Sequence, residues 1–96
     1  MAAPPNGVYV TFCTYNGTRY PSITNVGVKP TVGTYNKNIE THIFNFDKEL
    51  YGKQIRVEFV KRMREERKFA SVEELSKRIE HDCIMAKAYH REHGSL

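Results

Sequence analysis

Apolar and polar positions alternate over the first two-thirds of the chain, and the period then changes. From Gly7 to Tyr15, Val8, Val10 and Phe12 alternate with Tyr9, Thr11 and Cys13, the two-residue period of a strand. Asn16-Gly17 follows, and Asn-Gly between alternating segments predicts a tight hairpin, because both central residues of a type I′ turn need positive φ. The return strand runs from Thr18 towards Asn25, with Pro21 arguing for an edge or a bulge. A third strand, about Asn38 to Phe46, places Ile39, Thr41 and Ile43 on one face and Glu40, His42 and Phe44 on the other. Asp47 to Lys53 reads as a loop leading to a fourth strand, Gln54 to about Met63, where Ile55, Val57 and Phe59 alternate with Arg56 and Glu58.

Ser71-Val72-Glu73-Glu74 then has the spacing of a capping box, in which the Ser71 hydroxyl accepts from the Glu74 amide and the Glu74 carboxylate reaches back. Val72, Leu75, Ile79, Cys83 and Ala86 recur at three- and four-residue steps as one apolar helical stripe. Lys77, Arg78, Glu80 and His81 take the wet side, and the helix should end near Tyr89 with Gly94 beyond. Strands followed by one capped helix predict a mostly β, antiparallel α+β domain, a barrel plugged or flanked by the helix.

Composition narrows this little. Ninety-six residues, 40% apolar and 27% charged, with six Tyr and five Phe, suit one core over residues 1–96 and exclude a disordered tail. No apolar run approaches the ~18 residues of a membrane span, and Met1 to Asn6 lack the features of a signal peptide, so a cytoplasmic protein is expected. Cys13 and Cys83 stand far apart and read as buried structural thiols. His42, His81, His90 and His93 show no metal-ligand spacing with them, and His90 and His93 fit a frayed polar C-terminus. The net charge of +4 suits a small soluble domain or one whose ligand carries phosphates.

Three places could carry chemistry. Asn25 to Gly33 joins a close-approach backbone at Gly27 to a cation at Lys29 and a hydroxyl at Thr31, parts that can hold phosphates, although by itself an inter-strand connection is the simpler reading. Glu40 is either a solvated strand residue or a carboxylate aimed into a cleft, where it could accept a proton from an attacking hydroxyl. Lys61 to Phe69 is charge-dense; most of it reads as a solvated connection, but Arg64 combines charge with a planar face suited to an anion or a ring.

The residues fall into blocks. Gly7 to Val10, Asn25 to Thr31, Ile39 to Asp47 with Leu50-Tyr51-Gly52, Phe59 with Arg64 to Phe69, and the helix from Ser71 through Asp82 to Ala86 together resemble the riboflavin kinase family in order and spacing over nearly the whole chain. The nearest likeness is to the kinase module at the C-terminal end of bacterial bifunctional riboflavin kinase/FAD synthetases. The resemblance implies a six-stranded antiparallel barrel with a C-terminal helix that transfers the ATP γ-phosphate to the riboflavin 5′-hydroxyl, giving FMN and ADP. It implies that Glu40 is the base, that Asn25, Gly27, Lys29, Pro30, Thr31 and Tyr51 lie at the nucleotide, and that Arg64 and Phe69 border the flavin. Its Mg²⁺ ligands belong to a Pro-Thr-Ala-Asn motif and strand upstream of the Gly-Val-Tyr strand. Only Met1 to Asn6 precede Gly7 here, so the 96-residue chain is expected to hold no metal ligand itself and to be weakly active or inactive alone. The expected partners are therefore small molecules, with an FAD synthetase domain in a full-length protein or a dimer through an exposed sheet edge. One rival reading is a small basic β-barrel stacking single-stranded nucleic acid on Tyr9, Phe12, Tyr15 and Tyr20 beside Arg19 and Lys29; another is a non-catalytic interaction remnant.

Overall fold

The computed structural model describes residues 4–31, 34–46 and 55–95. Strands β1 (Gly7–Tyr15), β2 (Thr18–Thr31), β3 (Thr34–Ile43) and β4 (Arg56–Arg64) precede helix α1 (Val72–Glu92). All pairings are antiparallel, in the order β3-β2-β1-β4. Asn16 and Gly17 take φ of 51° and 81°, the positive pair that the β1–β2 turn requires.

Several expectations change, the first in β2 and in β3, which spans Thr34–Ile43 and not Asn38 to Phe46. The segment from Asn25 to Thr31 is not a loop: it is the far half of β2, paired with β3 from Asn25↔Glu40 to Thr31↔Thr34. Gly and Pro weaken a strand, but hairpin pairing to a second long strand overrides that local preference. Pro21 pairs with Phe12 of β1, but the pairing with β3 begins only at Ser22, so its β3 side is a local edge within an inner strand, without a bulge. Its carbonyl accepts from the Phe44 amide at 3.0 Å, just past the end of β3. A residue's N and C=O point the same way in an antiparallel ladder, so the missing donor falls where β3 has already turned away.

Among the described residues the strands number four and the sheet is open, whereas the resemblance implied six in a closed barrel. Register shifts between Val8 and Tyr9 and between Val10 and Thr11 mark irregularities against β4, where bulges increase twist. The central strands β1 and β2 carry buried residues on both faces, whereas β4 has none. One face carries Val8, Val10, Ile23 and Phe44, packed with Ala86 of α1 as the core cluster. The opposite face carries Tyr9, Thr11, Cys13, Ser22, Thr24 and Val26, all buried, with Phe59 edge-on to Tyr9 at 5.0 Å. Its hydroxyls satisfy one another: Thr11 Oγ1 lies 2.7 Å from Ser22 Oγ and 2.9 Å from Thr24 Oγ1, which lies 2.9 Å from Thr41 Oγ1.

Ser71 caps α1 by accepting from the Glu74 amide at 3.2 Å, and Glu74 Oε2 accepts from the Ala70 amide at 3.2 Å. Ser71→Ala should lower stability by about 1 kcal/mol, read as a shift in the urea midpoint. The helix runs to Glu92, beyond the expected Tyr89. It ends in a Schellman arrangement, with Gly94 at φ 77°, Ser95 N donating to His90 O at 2.7 Å and Gly94 N to Arg91 O at 3.2 Å. No frayed C-terminus is seen at His90: its ring is buried, and Nε2 donates to the Ser22 carbonyl at 3.1 Å. No helix among the described residues is long and apolar enough to cross a membrane.

Candidate functional site

Only the C-terminal end of the apolar stripe of α1 reaches the core, at Ala86 with Cys83 beside it. Asp82, Ala86 and His90 are the buried positions of the helix, whereas Leu75 is 40% and Ile79 50% exposed. The helix therefore meets the sheet along its C-terminal half, and its N-terminal half stands off. Between them lies a cavity of about 530 Å³, within the range of small-molecule sites.

Strand register builds its floor. Val8 pairs with Asn25 on one side and with Arg64 on the other, and Asn25 pairs with Glu40. Directly paired residues share a face, so Arg64, Val8, Asn25 and Glu40 form one row across all four strands, and all four line the cavity. Three strand spacings of ~4.8 Å set the ends of the row roughly 14 Å apart along the sheet. Ile23 and His42 lie in the neighbouring row, and Phe69, Leu75, Ile79 and Cys83 form the apolar wall.

Arg64 is held firmly. Its Nε donates to both Asp82 oxygens at 3.0 Å, Nη2 to Asp82 Oδ2 at 2.6 Å, and Nη1 to the Glu65 carbonyl at 2.9 Å. The guanidinium carbon lies 5.9 Å from the Phe69 ring centroid. Arg78 Nε approaches Asp82 Oδ1 to 3.3 Å from the other side as an ion pair, without hydrogen-bond geometry. Glu66 folds back over β2, where a Cβ on Gly27 would come to 3.2 Å from its Oε2, so a glycine makes that close approach possible. Burial pushes the Cys83 thiol up; Lys87 opposes this and Asp82 adds to it, so the cavity thiol stays protonated at neutral pH. Burial likewise raises Cys13, which is the structural thiol the sequence suggested.

The structure thus brings Glu40, Asn25, Arg64 and Phe69 into one cavity, with Gly27 beside it. Lys29, Pro30 and Thr31 continue along β2, paired with Asn36, Tyr35 and Thr34. Tyr51 lies outside the described residues. Sequence reasoning assigned no site role to Asp82, His42 or Glu66, although Asp82 falls in one of the family-like blocks and stands one turn after Arg78. Among the described residues no group of His, Cys, Asp and Glu side chains converges as a metal site. The aromatic platform of the nucleic-acid reading is not formed. Tyr9 is buried, with its hydroxyl donating to the Pro5 carbonyl at 2.5 Å, and the Phe12 ring is covered by Arg19 at 3.5 Å. Tyr15 and Tyr20 pack edge-on to Phe46.

Comparison with known proteins gives a match of residues 1–90 to the family model Flavokinase, described as riboflavin kinase. The bifunctional riboflavin kinase/FMN adenylyltransferase of Bacillus subtilis is 43% identical over 91 residues, 90% of this chain and 28% of that protein. The RNA-binding riboflavin kinase RibR of Bacillus subtilis is 41% identical over 82 residues, 82% of this chain and 36% of that protein. The bifunctional protein of Escherichia coli K12 is 33% identical over 90 residues, 93% of this chain and 29% of that one. A solved structure described as a macrolide-efflux protein from Streptococcus pneumoniae superposes with a TM-score of 0.80 at 28% identity, over 90% of this chain and 28% of that one. The chain spans about a third or less of the length of each of these relatives.

Proposed function

This chain belongs to the riboflavin kinase family, and on that premise we propose that its cavity binds riboflavin for phosphorylation of the 5′-hydroxyl by ATP, giving FMN and ADP. The observation that carries the proposal is the row across the sheet. One end holds an oriented guanidinium beside Phe69 under an apolar helix wall, and the other holds the carboxylate of Glu40. A tricyclic ring occupies the first end, and the ribityl chain spans the remainder towards Glu40.

In this reading the 5′-oxygen attacks the γ-phosphorus, the bond from that phosphorus to the bridging oxygen of ADP breaks, and Glu40 takes the hydroxyl proton. Asn25 and Gly27, and beyond them Lys29, Pro30 and Thr31 along β2, flank the nucleotide, with Tyr51 assigned there by resemblance. Mg²⁺, when bound, supplies charge stabilisation for the transferring phosphoryl group. Among the described residues no three His, Cys, Asp or Glu side chains converge to hold it. FMN would then pass to an adenylyltransferase, the second activity in the names of the bifunctional relatives. The described sheet edges β3 and β4 are open to pairing with a further strand, although Arg56, Glu58, Lys61 and Arg62 place charges along β4. RNA binding, named for one relative that this chain matches over 36% of its length, gains no support from the covered aromatics.

Titrating riboflavin with this chain should quench flavin fluorescence saturably at one site per chain, with ADP binding measured in parallel by calorimetry. Absence of saturable quenching would overturn the reading.

A further inference from the structure

Arg64 need not act as a free cation towards a ligand. Of the five N–H donors of a guanidinium, three are committed, two to Asp82 and one to the Glu65 carbonyl. Two remain, one on each terminal nitrogen. The Arg64 side chain is 15% exposed and that of Asp82 5%, so the pair is largely withdrawn from water. The charges of the cavity wall point the same way: Glu40, Glu66 and Asp82 stand against Arg64 and Arg67, three carboxylates to two guanidiniums. The surplus cation bound to Asp82, Arg78, is absent from this wall and lines a second, smaller pocket on the other side of the Arg64–Asp82 pair. A phosphate placed at Arg64 would therefore face a carboxylate held 2.6 Å from the guanidinium.

We propose that Asp82 is a positioning residue that holds Arg64 as an oriented, charge-compensated donor edge, so that the α1 end of the cavity selects the uncharged ring of a flavin and turns phosphate away. The inference rests on the flavin reading, which already sets the ring at Arg64 and the chain towards Glu40, and adds the role of Asp82 in making that end accept a ring and refuse a phosphate. Hydrogen bonding to a preset guanidinium edge supplies orientation, and the neighbouring Phe69 ring supplies a flat contact.

The test compares riboflavin, lumiflavin (the ring without the ribityl chain) and FMN by fluorescence quenching at low and high salt. Wild type should bind riboflavin and lumiflavin with little dependence on salt. Asp82→Asn should weaken both by about tenfold or more, the range of hydrogen bonds to charged groups, while shifting the FMN-to-riboflavin preference towards FMN. That shift should fade at high salt, because it reports an exposed Arg64 charge. A merely structural defect would weaken all three ligands alike and leave the preference unmoved, which would overturn the proposal. Arg64→Lys keeps the charge and Asp82 but loses the fork, so it should weaken riboflavin and lumiflavin with no shift to FMN; it serves if Asp82→Asn fails to fold. If wild type binds riboflavin and the folded variants bind it within about twofold of wild type, the inference fails and the flavin reading stands. If wild type binds no flavin, both fail.

Discussion

Glu40→Gln is expected to lower FMN formation by about 10²- to 10⁴-fold, the usual contribution of a positioned general base. Riboflavin affinity should stay within about twofold, since the amide keeps the shape of the side chain and removes only its capacity to take a proton. The loss corresponds to roughly 3–5 kcal/mol of transition-state stabilisation. The rate is to be measured in a longer, turnover-competent protein containing this chain, at saturating riboflavin and ATP, with binding followed separately by fluorescence. The prediction depends on where Glu40 sits. It lies at the β3 end of the row that begins at Arg64, so a flavin seated against Arg64 extends its ribityl chain towards this carboxylate. A solvated strand glutamate would behave like Glu58, which pairs on the surface with Arg19 at 3.2 Å. Glu58→Gln should leave the rate within about twofold. Equal rates for the two variants would remove Glu40 from the chemistry.

Local signals were legible, and long-range geometry was not. The β1 bounds, the Asn16-Gly17 turn and the Ser71 cap each depend on residues within a few positions of one another, and all three appear where the sequence placed them. The row that assembles the site depends on three separate registers, one of them with two shifts, and strand period alone fixes none of them. Asp82 was hidden for a related reason. Its main partner, Arg64, is 18 residues away on another element, so the helical pattern offered only Arg78, four positions earlier. The stripe of Leu75, Ile79 and Cys83 was read correctly as one face, but hydrophobic spacing does not say whether a face meets a core or a ligand cavity. The hydroxyls of Thr11, Ser22 and Thr24 carried no burial signal of their own. Alternation alone does not say whether they face water, and their mutual hydrogen bonds are what allow them to be buried.

His90→Ala should be strongly destabilising, by about 3–5 kcal/mol, the range for removing a large buried ring. The imidazole is 1% exposed and stands between α1 and the sheet. Its edges meet the Phe12 ring at 4.9 Å and the Phe44 ring at 6.1 Å, and Nε2 donates to the Ser22 carbonyl at 3.1 Å. Alanine would remove the ring packing and that donor together, leaving a gap beneath Phe44 and a β2 carbonyl short of a partner. A domain of this size is held by roughly 5–14 kcal/mol, so the loss is a large share of the total. At about 4–8 °C per kcal/mol, the melting temperature should fall by at least about 12 °C. His93 is the comparison that isolates burial from residue type. It is exposed at the helix end, stacked on Tyr89 at 4.1 Å with Nδ1 2.8 Å from the Tyr89 carbonyl. His93→Ala should cost no more than about 0.5 kcal/mol. If the end of α1 were frayed in solution, both variants would melt with wild type. A large, unequal pair of shifts requires the helix to be docked through His90, and it is this docking that holds Asp82, two turns earlier on the same line of the helix, against Arg64.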